Sequence, residues 1–421
     1  MALSGAKTRG TRGLREDGEH EGESPMSVLT EGAATTDYDI FSMDAILNAH
    51  ERDAAIREQA PVVYLEQYDF YVTGRHDLSQ QVLQDWQTFS SASRPFHDPN
   101  SVRPEILLVD DPPRHTQVKN VILRALSPAA MKTMKDTFQR EADRLVDEIM
   151  ADGTVELEAR EDLVGRYILK VFPDMLGMPA QGRQNLLSYG GIVFNTLGPE
   201  NALFHQTLEE NGHVLDWVAR QCKREALDPD GIAAQMYVAA DNGEITMDEA
   251  ELLVLVLLSA GSDSTIVGIT GALRGMAEFP AEWEKLKADP AKARLVLEEA
   301  IRWQSITRML GRVTTRDVEL GGTLIPKGSK MGTMMVAANR DHRRWDRPAD
   351  YQLDRKIAGH MGFGAGIHAC VGQAVARLEA ECFFRALSRR VDRIEITGAP
   401  EPVINNIMHG TVRMPITLHA A

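Results

Sequence analysis

A histidine and a cysteine sit among glycines near the C-terminal end of this chain. The run is Phe363-Gly364-Ala365-Gly366, then His368, Cys370 and Gly372, with a long helical pattern behind it. Glycines permit tight turns and let the backbone approach a bulky ligand. A cysteine just before a helix N-terminus gains thiolate character from the helix dipole and the free N–H groups. An axial thiolate is one of the few ways a protein holds haem iron. The same ingredients have plainer uses. A lone cysteine in apolar surroundings is usually a small core residue, and a glycine-rich loop ahead of a helix can cradle phosphate.

A second stretch, LLSAGSDST from Leu257 to Thr265, lies inside a strongly apolar run. Gly261, Ser262, Asp263, Ser264 and Thr265 are all mediocre or poor helix residues. An unpaired buried carboxylate is costly. Local rules broken inside a core helix point to a functional site. The alternative is a helix terminus with Asp263 or Ser264 as N-cap. However, a capping box of Thr246 and Glu249 starts the pattern, and nothing stops it before Phe279-Pro280. The pattern predicts one helix of about 33 residues, roughly 50 Å long, with Asp263 near its middle.

These residues need a large frame, and the chain is long enough to supply one. It has 421 residues, 43% of them hydrophobic, and a formal net charge of -15. The acidic balance argues against general nucleic-acid binding. The three cysteines, Cys222, Cys370 and Cys382, suggest neither a disulfide framework nor a zinc site, so a reducing cytoplasm fits. Residues 1–37 read as a flexible polar tail without the apolar core of a signal peptide, and residues 38–421 as a single domain. The longest apolar run, Leu252 to Leu258, is far short of the roughly 20 residues that span a bilayer, so no membrane is expected.

Val62-Val63-Tyr64 and Phe70-Tyr71-Val72 read as a hairpin. Ser127 caps a helix that opens on Pro128, and Asp289 caps another that opens on Pro290. Glu299 and Arg302 lie three apart on one helix face, which alone is usually a surface pair of little worth. The turns after Arg316 suggest a small meandering sheet. The fold class is mainly α with a minor β part.

The whole pattern F-G-x-G-x-H-x-C-x-G resembles the haem loop of the cytochrome P450 family, and the likeness extends over nearly all the chain from about Ala60. The resemblance implies a haem-thiolate monooxygenase that uses haem b and dioxygen, with Cys370 as the metal ligand. Phe363 and Gly372 frame that cysteine. Glu299-Ala300-Ile301-Arg302 looks like the E-x-x-R motif, with Arg355 completing a buried network. The stretch from Asp110 to Thr116 resembles the family segment whose histidine, here His115, binds a haem propionate, and Arg312 and His368 would bind propionates too. Lys119 stands where an arginine is usual and would act as a point charge. LLSAGSDST then resembles the distal helix. Ala260 and Gly261 would be small for haem and dioxygen, and Asp263 and Ser264 would deliver protons, with Ser264 preferred over Thr265. Serine replaces the usual threonine, so its hydroxyl is less firmly aimed.

Within the family, the text resembles bacterial para-methoxybenzoate O-demethylases. By position Leu107, Leu108, Phe194, Leu197, Val256 and Ala260 would line the substrate pocket. Leu255 and Val256 stand where those enzymes place a polar carboxylate anchor; Arg103 and Arg308 are substitutes to weigh. An uncharged methoxy- or alkyl-phenol of the guaiacol type fits this apolar swap better than a benzoate. A terpene or fatty-acid hydroxylase, a peroxygenase and a haem-based sensor are the competing readings. The implied electron donors are a ferredoxin and its NAD(P)H-dependent reductase, with Arg377 a candidate docking cation.

Overall fold

The computed structural model describes residues 33–92 and 106–421. Helices dominate, as their caps dictate. Ser127 Oγ accepts from the Ala130 N–H at the start of a helix over Pro128–Ile149. Thr246 and Glu249 close their capping box at the start of the apolar helix. Asp289 caps a short 3-10 turn, Pro290–Lys292, and the helix Ala293–Trp303 follows it.

The largest sheet has six strands in the order Ala34–Thr36, Val63–Leu65, Phe70–Thr73, Lys330–Met334, Met309–Thr314 and Phe89–Ser90. The expected hairpin is its second and third strands, paired Val63 with Val72 and Leu65 with Phe70. Ala34–Thr36 pairs parallel to Val63–Leu65. The tail expected to run to residue 37 therefore already belongs to the sheet at residue 34; its residues 1–32 lie outside the described residues. The described residues fall in one compact unit, Gly32–Ala421.

The single long helix is not continuous. It divides into Met247–Gly261 and Asp263–Glu278, with Ser262 between them at φ -90° and ψ -65°. At the break, side-chain hydroxyls reach the carbonyls one turn back. Ser264 Oγ donates to the Ala260 carbonyl at 2.5 Å and Thr265 Oγ1 to the Gly261 carbonyl at 2.9 Å. Short hydroxyl side chains compete with the helix ladder in this way and bend it. Apolar periodicity runs through the break; the signal that marked it was the run of poor helix residues from Gly261 to Thr265, which also allowed a helix terminus there. Together the two halves are long and apolar enough to cross a membrane, but they form the core helix, 67% buried across their most apolar window.

Candidate functional site

The glycines around Cys370 are required by geometry. Gly364 and Gly366 adopt φ of 72° and 69°, where side chains are strained. A Cβ on Gly366 would also stand 2.3 Å from the Leu83 carbonyl oxygen. The loop folds back so that the Cys370 N–H donates to the Phe363 carbonyl at 2.8 Å. The Cys370 thiol opens into an interior cavity of ≈ 380 Å³. Burial raises its pKa, opposed by the backbone N–H groups of Gly372 and Gln373 and by the charges of Arg377 and Lys119. The helix Gln373–Arg390 starts directly behind Gly372.

Beside this loop, basic groups converge on the cavity. The His115 and His368 rings are 4.4 Å apart. His115 Nδ1 and His368 Nε2 are buried without a hydrogen-bond partner among the described residues. Arg312 is buried, and its guanidinium donates to the Gly311 carbonyl of its own strand at 2.7 Å. Burial brings Arg312 down to about 10. Burial, reinforced by Arg312, His115 and Lys119, pushes His368 down to about 3. Unsatisfied nitrogens and basic groups gathered around one space suit an anionic ligand. Lys119 lines the cavity too and has a further engagement. Its ammonium donates to the Ile367 and Ala369 carbonyls, the latter at 3.1 Å, and so braces the cysteine loop.

On the opposite wall, Ala260, Gly261, Ser264 and Thr265 line the same cavity. Gly261 was expected to be small for the sake of a cofactor and dioxygen; the structure adds a second reason. A Cβ there would stand 1.9 Å from Phe172 Cζ, so the missing side chain makes room for Phe172. We expect Gly261→Ala to destabilise the protein by about 1–3 kcal/mol through overpacking. Adding Phe172→Leu should restore most of the loss, and thermal melts of both variants check this.

Asp263 is not part of the cavity wall. Its Oδ1 accepts from Arg160 Nη2 at 2.6 Å, and both residues are buried. Burial raises its pKa despite the arginine. Gly190 leaves the space: a Cβ there would approach Asp263 Cβ to 2.8 Å. Arg160 sits in a π-helical segment, Ala159–Gly165. In sequence it looks like any arginine between acidic neighbours, which is why its partner was not anticipated.

Leu107, Leu108, Phe194, Leu197 and Val256 all line the cavity, while Leu255 does not. Leu107 is held at φ 71°, and Asp110 Oδ2 accepts its N–H at 2.7 Å. Phe172, Met175, Ile306, Met309 and Ile407 are among the other apolar side chains of the lining, and Thr307 adds a hydroxyl. No local signal separated these from core residues. The ionisable groups of the lining are His115, Lys119, Arg312, His368, Cys370 and Glu379. All of them belong to the loop side: they lie on the loop, on its helix, or against it. Away from it, the described lining has none. Arg308, weighed as an anchor, is buried on Asp53 at 2.9 Å and on the Ile40 carbonyl at 2.7 Å. Arg103 lies outside the described residues.

Two adjacent carboxylates tie the loop to the rest of the core. Glu299 accepts from Arg302 Nε and Nη2, both at 2.8 Å, and from Arg355 Nε at 3.0 Å. Glu298 turns the other way, toward His360 Nε2 at 2.6 Å and Arg377 Nε. Burial alone would raise Glu298, but these partners hold it down at about 2. Arg377, expected as a free docking cation, is instead engaged. Its guanidinium carbon lies 4.5 Å from the centre of the Phe363 ring.

Comparison with known proteins agrees with this geometry. Residues 167–392 match the family model described as Cytochrome P450. The chain is 43% identical to "Cytochrome p450 CYP199A2" of Rhodopseudomonas palustris over 388 residues, 91% of this chain and 94% of that protein. It is 26% identical to "Cytochrome P450 109" of Bacillus spizizenii, covering 86% and 90% of the two chains. Among solved structures, CYP109E1 from Bacillus megaterium in complex with testosterone superposes with a TM-score of 0.78 at 25% identity, covering 89% of this chain and 99% of that one.

Proposed function

This chain belongs to the cytochrome P450 family, monooxygenases that use haem b and dioxygen, and from that premise we propose that its substrate is a small uncharged aromatic compound, a methoxy- or alkyl-substituted phenol of the guaiacol type. The observation that carries the proposal is the lining of the chamber. Away from the cysteine loop the described wall offers apolar side chains, a few hydroxyls and no ionisable group. A carboxylate buried there would lose its solvation without gaining a partner, or would have to take up a proton.

The residues around Cys370 fit haem on the chemistry of their donors. Cys370 would ligate the iron, with the N–H groups of Gly372 and Gln373 favouring its thiolate. His115 Nδ1, His368 Nε2 and Arg312 would meet the propionates, which would satisfy the two histidine nitrogens left without a partner among the described residues. Lys119 would steady the loop by its carbonyls. When bound, haem supplies dioxygen activation, which thiolate ligation favours. The protein supplies orientation, exclusion of water and protons. Ser264 carries a hydroxyl at the wall and can turn from the Ala260 carbonyl toward the chamber. Asp263 stands behind it and can pass a proton only when its pairing with Arg160 loosens. Hydroxylation of a methoxy methyl group would release formaldehyde and leave the phenol. The proposed electron donors are a ferredoxin and its NAD(P)H-dependent reductase, and the proposed location is the cytoplasm.

Ligand binding read by the haem spin-state shift tests the substrate class. Guaiacol and para-alkylguaiacols should shift the spectrum; para-methoxybenzoate, a terpene and a fatty acid should shift it less. A response to benzoates alone would sink the proposal. For the proton route, Ser264→Ala is expected to raise peroxide released per NADH consumed by at least about tenfold, since a positioned proton donor contributes about a hundredfold or more. Unchanged coupling would assign the relay elsewhere.

A further inference from the structure

Asn195, Asn201, Asn405 and Asn406 gather where the helix Asn185–Thr196 gives way to the helix Ala202–Asn211. Asn195, Asn405 and Asn406 are buried. The Asn406 N–H donates to Asn195 Oδ1 at 2.8 Å, and Asn406 Nδ2 donates to the Asn195 carbonyl at 3.1 Å. The side-chain amides of Asn406 and Asn201 form a reciprocal pair at 2.8 and 3.1 Å. Asn405 Nδ2 donates to the Gly191 carbonyl at 3.1 Å, and its Oδ1 accepts the N–H groups of Ile407 and Met408, both at 2.9 Å. Gly198 lets the parts meet: a Cβ there would stand 2.6 Å from Asn406 Cβ.

The turn holding Asn405 and Asn406 is itself joined to a neighbouring segment. The Arg308 N–H donates to the Ile407 carbonyl and the His409 N–H to the Ile306 carbonyl, each at 2.7 Å. The asparagines therefore link two walls of the chamber. One carries Phe194 and Leu197, the other Ile306, Thr307 and Ile407. Apolar surfaces can slide past one another by small steps. A buried amide network cannot, because any slip leaves buried donors and acceptors unpaired.

We infer that this asparagine clasp fixes the separation of the two walls and so sets the size of ligand the chamber admits, with Asn406 as its central positioning residue. The inference rests on reading this cavity as the substrate chamber of a haem enzyme. The haem-loaded full chain is titrated with imidazole, phenylimidazole and the bulky clotrimazole, each followed by the shift of the haem absorption band on nitrogen ligation. Asn406→Ala and Gly198→Ala are expected to favour clotrimazole over imidazole by about tenfold relative to the parent, with imidazole itself unchanged. Where Asn406→Ala fails to load haem, Gly198→Ala, which keeps every asparagine, decides alone. A clotrimazole-to-imidazole ratio within about twofold of the parent overturns the clasp, as does an equal change for all three ligands. A parent chain whose band does not respond to imidazole overturns the haem reading first, and the clasp with it.

Discussion

Cys370→Ser is expected to give a folded protein that takes up haem yet loses monooxygenation by about a thousandfold or more, some 4 kcal/mol or more of barrier. The substitution is nearly isosteric, and the bond from the residue 370 N–H to the Phe363 carbonyl survives it. The left-handed glycines, the Lys119 brace and the His115–His368–Arg312 cluster also remain. What disappears is the thiolate and the electron density it would give to iron. The check is a carbon-monoxide difference spectrum of the purified holoprotein beside its turnover. A variant with an intact thiolate-type spectrum, or with activity near the parent's, would remove Cys370 from the proposed site.

Arg302→Leu is expected to cost about 3–5 kcal/mol, a large part of the roughly 5–15 kcal/mol that holds a domain folded. The Arg302 side chain has 0% exposure and the Glu299 side chain 2%. Besides Glu299, Arg302 supplies the Asn339, Pro348 and Asp350 carbonyls at 3.2, 2.8 and 2.9 Å. Leucine would orphan these acceptors and leave Glu299 with Arg355 and the Gln352 N–H. Arg302→Lys should rescue little, because an ammonium cannot fill the planar fork. Denaturant unfolding gives the answer, and a loss under about 1 kcal/mol would show the pair to be expendable.

The parts legible in the sequence were those fixed by local chemistry. The loop around Cys370 needs glycine where φ is positive, so its residues announce its shape. The capping box at Thr246 and the Glu299–Arg302 spacing are likewise short-range. What escaped depends on partners far along the chain. Arg160 meets Asp263 across 103 positions, and Asn405 meets Gly191 across 214. Gly261 was read as a site of close approach, but the approach of Phe172 was not foreseen. A glycine declares that space is needed; Phe172, part of an ordinary apolar helix, does not declare that it takes it. The break at Ser262 was passed over because apolar periodicity is indifferent to a single lost register of backbone bonds.

Glu298 and Glu299, neighbours in sequence, face apart and serve different masters. Glu299 holds Arg355 and the Gln352 N–H, and Glu298 holds His360 and Arg377, which flank the cysteine loop. That loop is therefore not a portable cassette. Grafting FGAGIHACVG onto another helical scaffold would transfer the letters without the two-sided joint that gives them their curvature. A chimera whose crossover falls between Glu298 and the loop inherits its fit from both parents at once, so haem uptake should depend on the origin of residue 298 as well as on that of the loop.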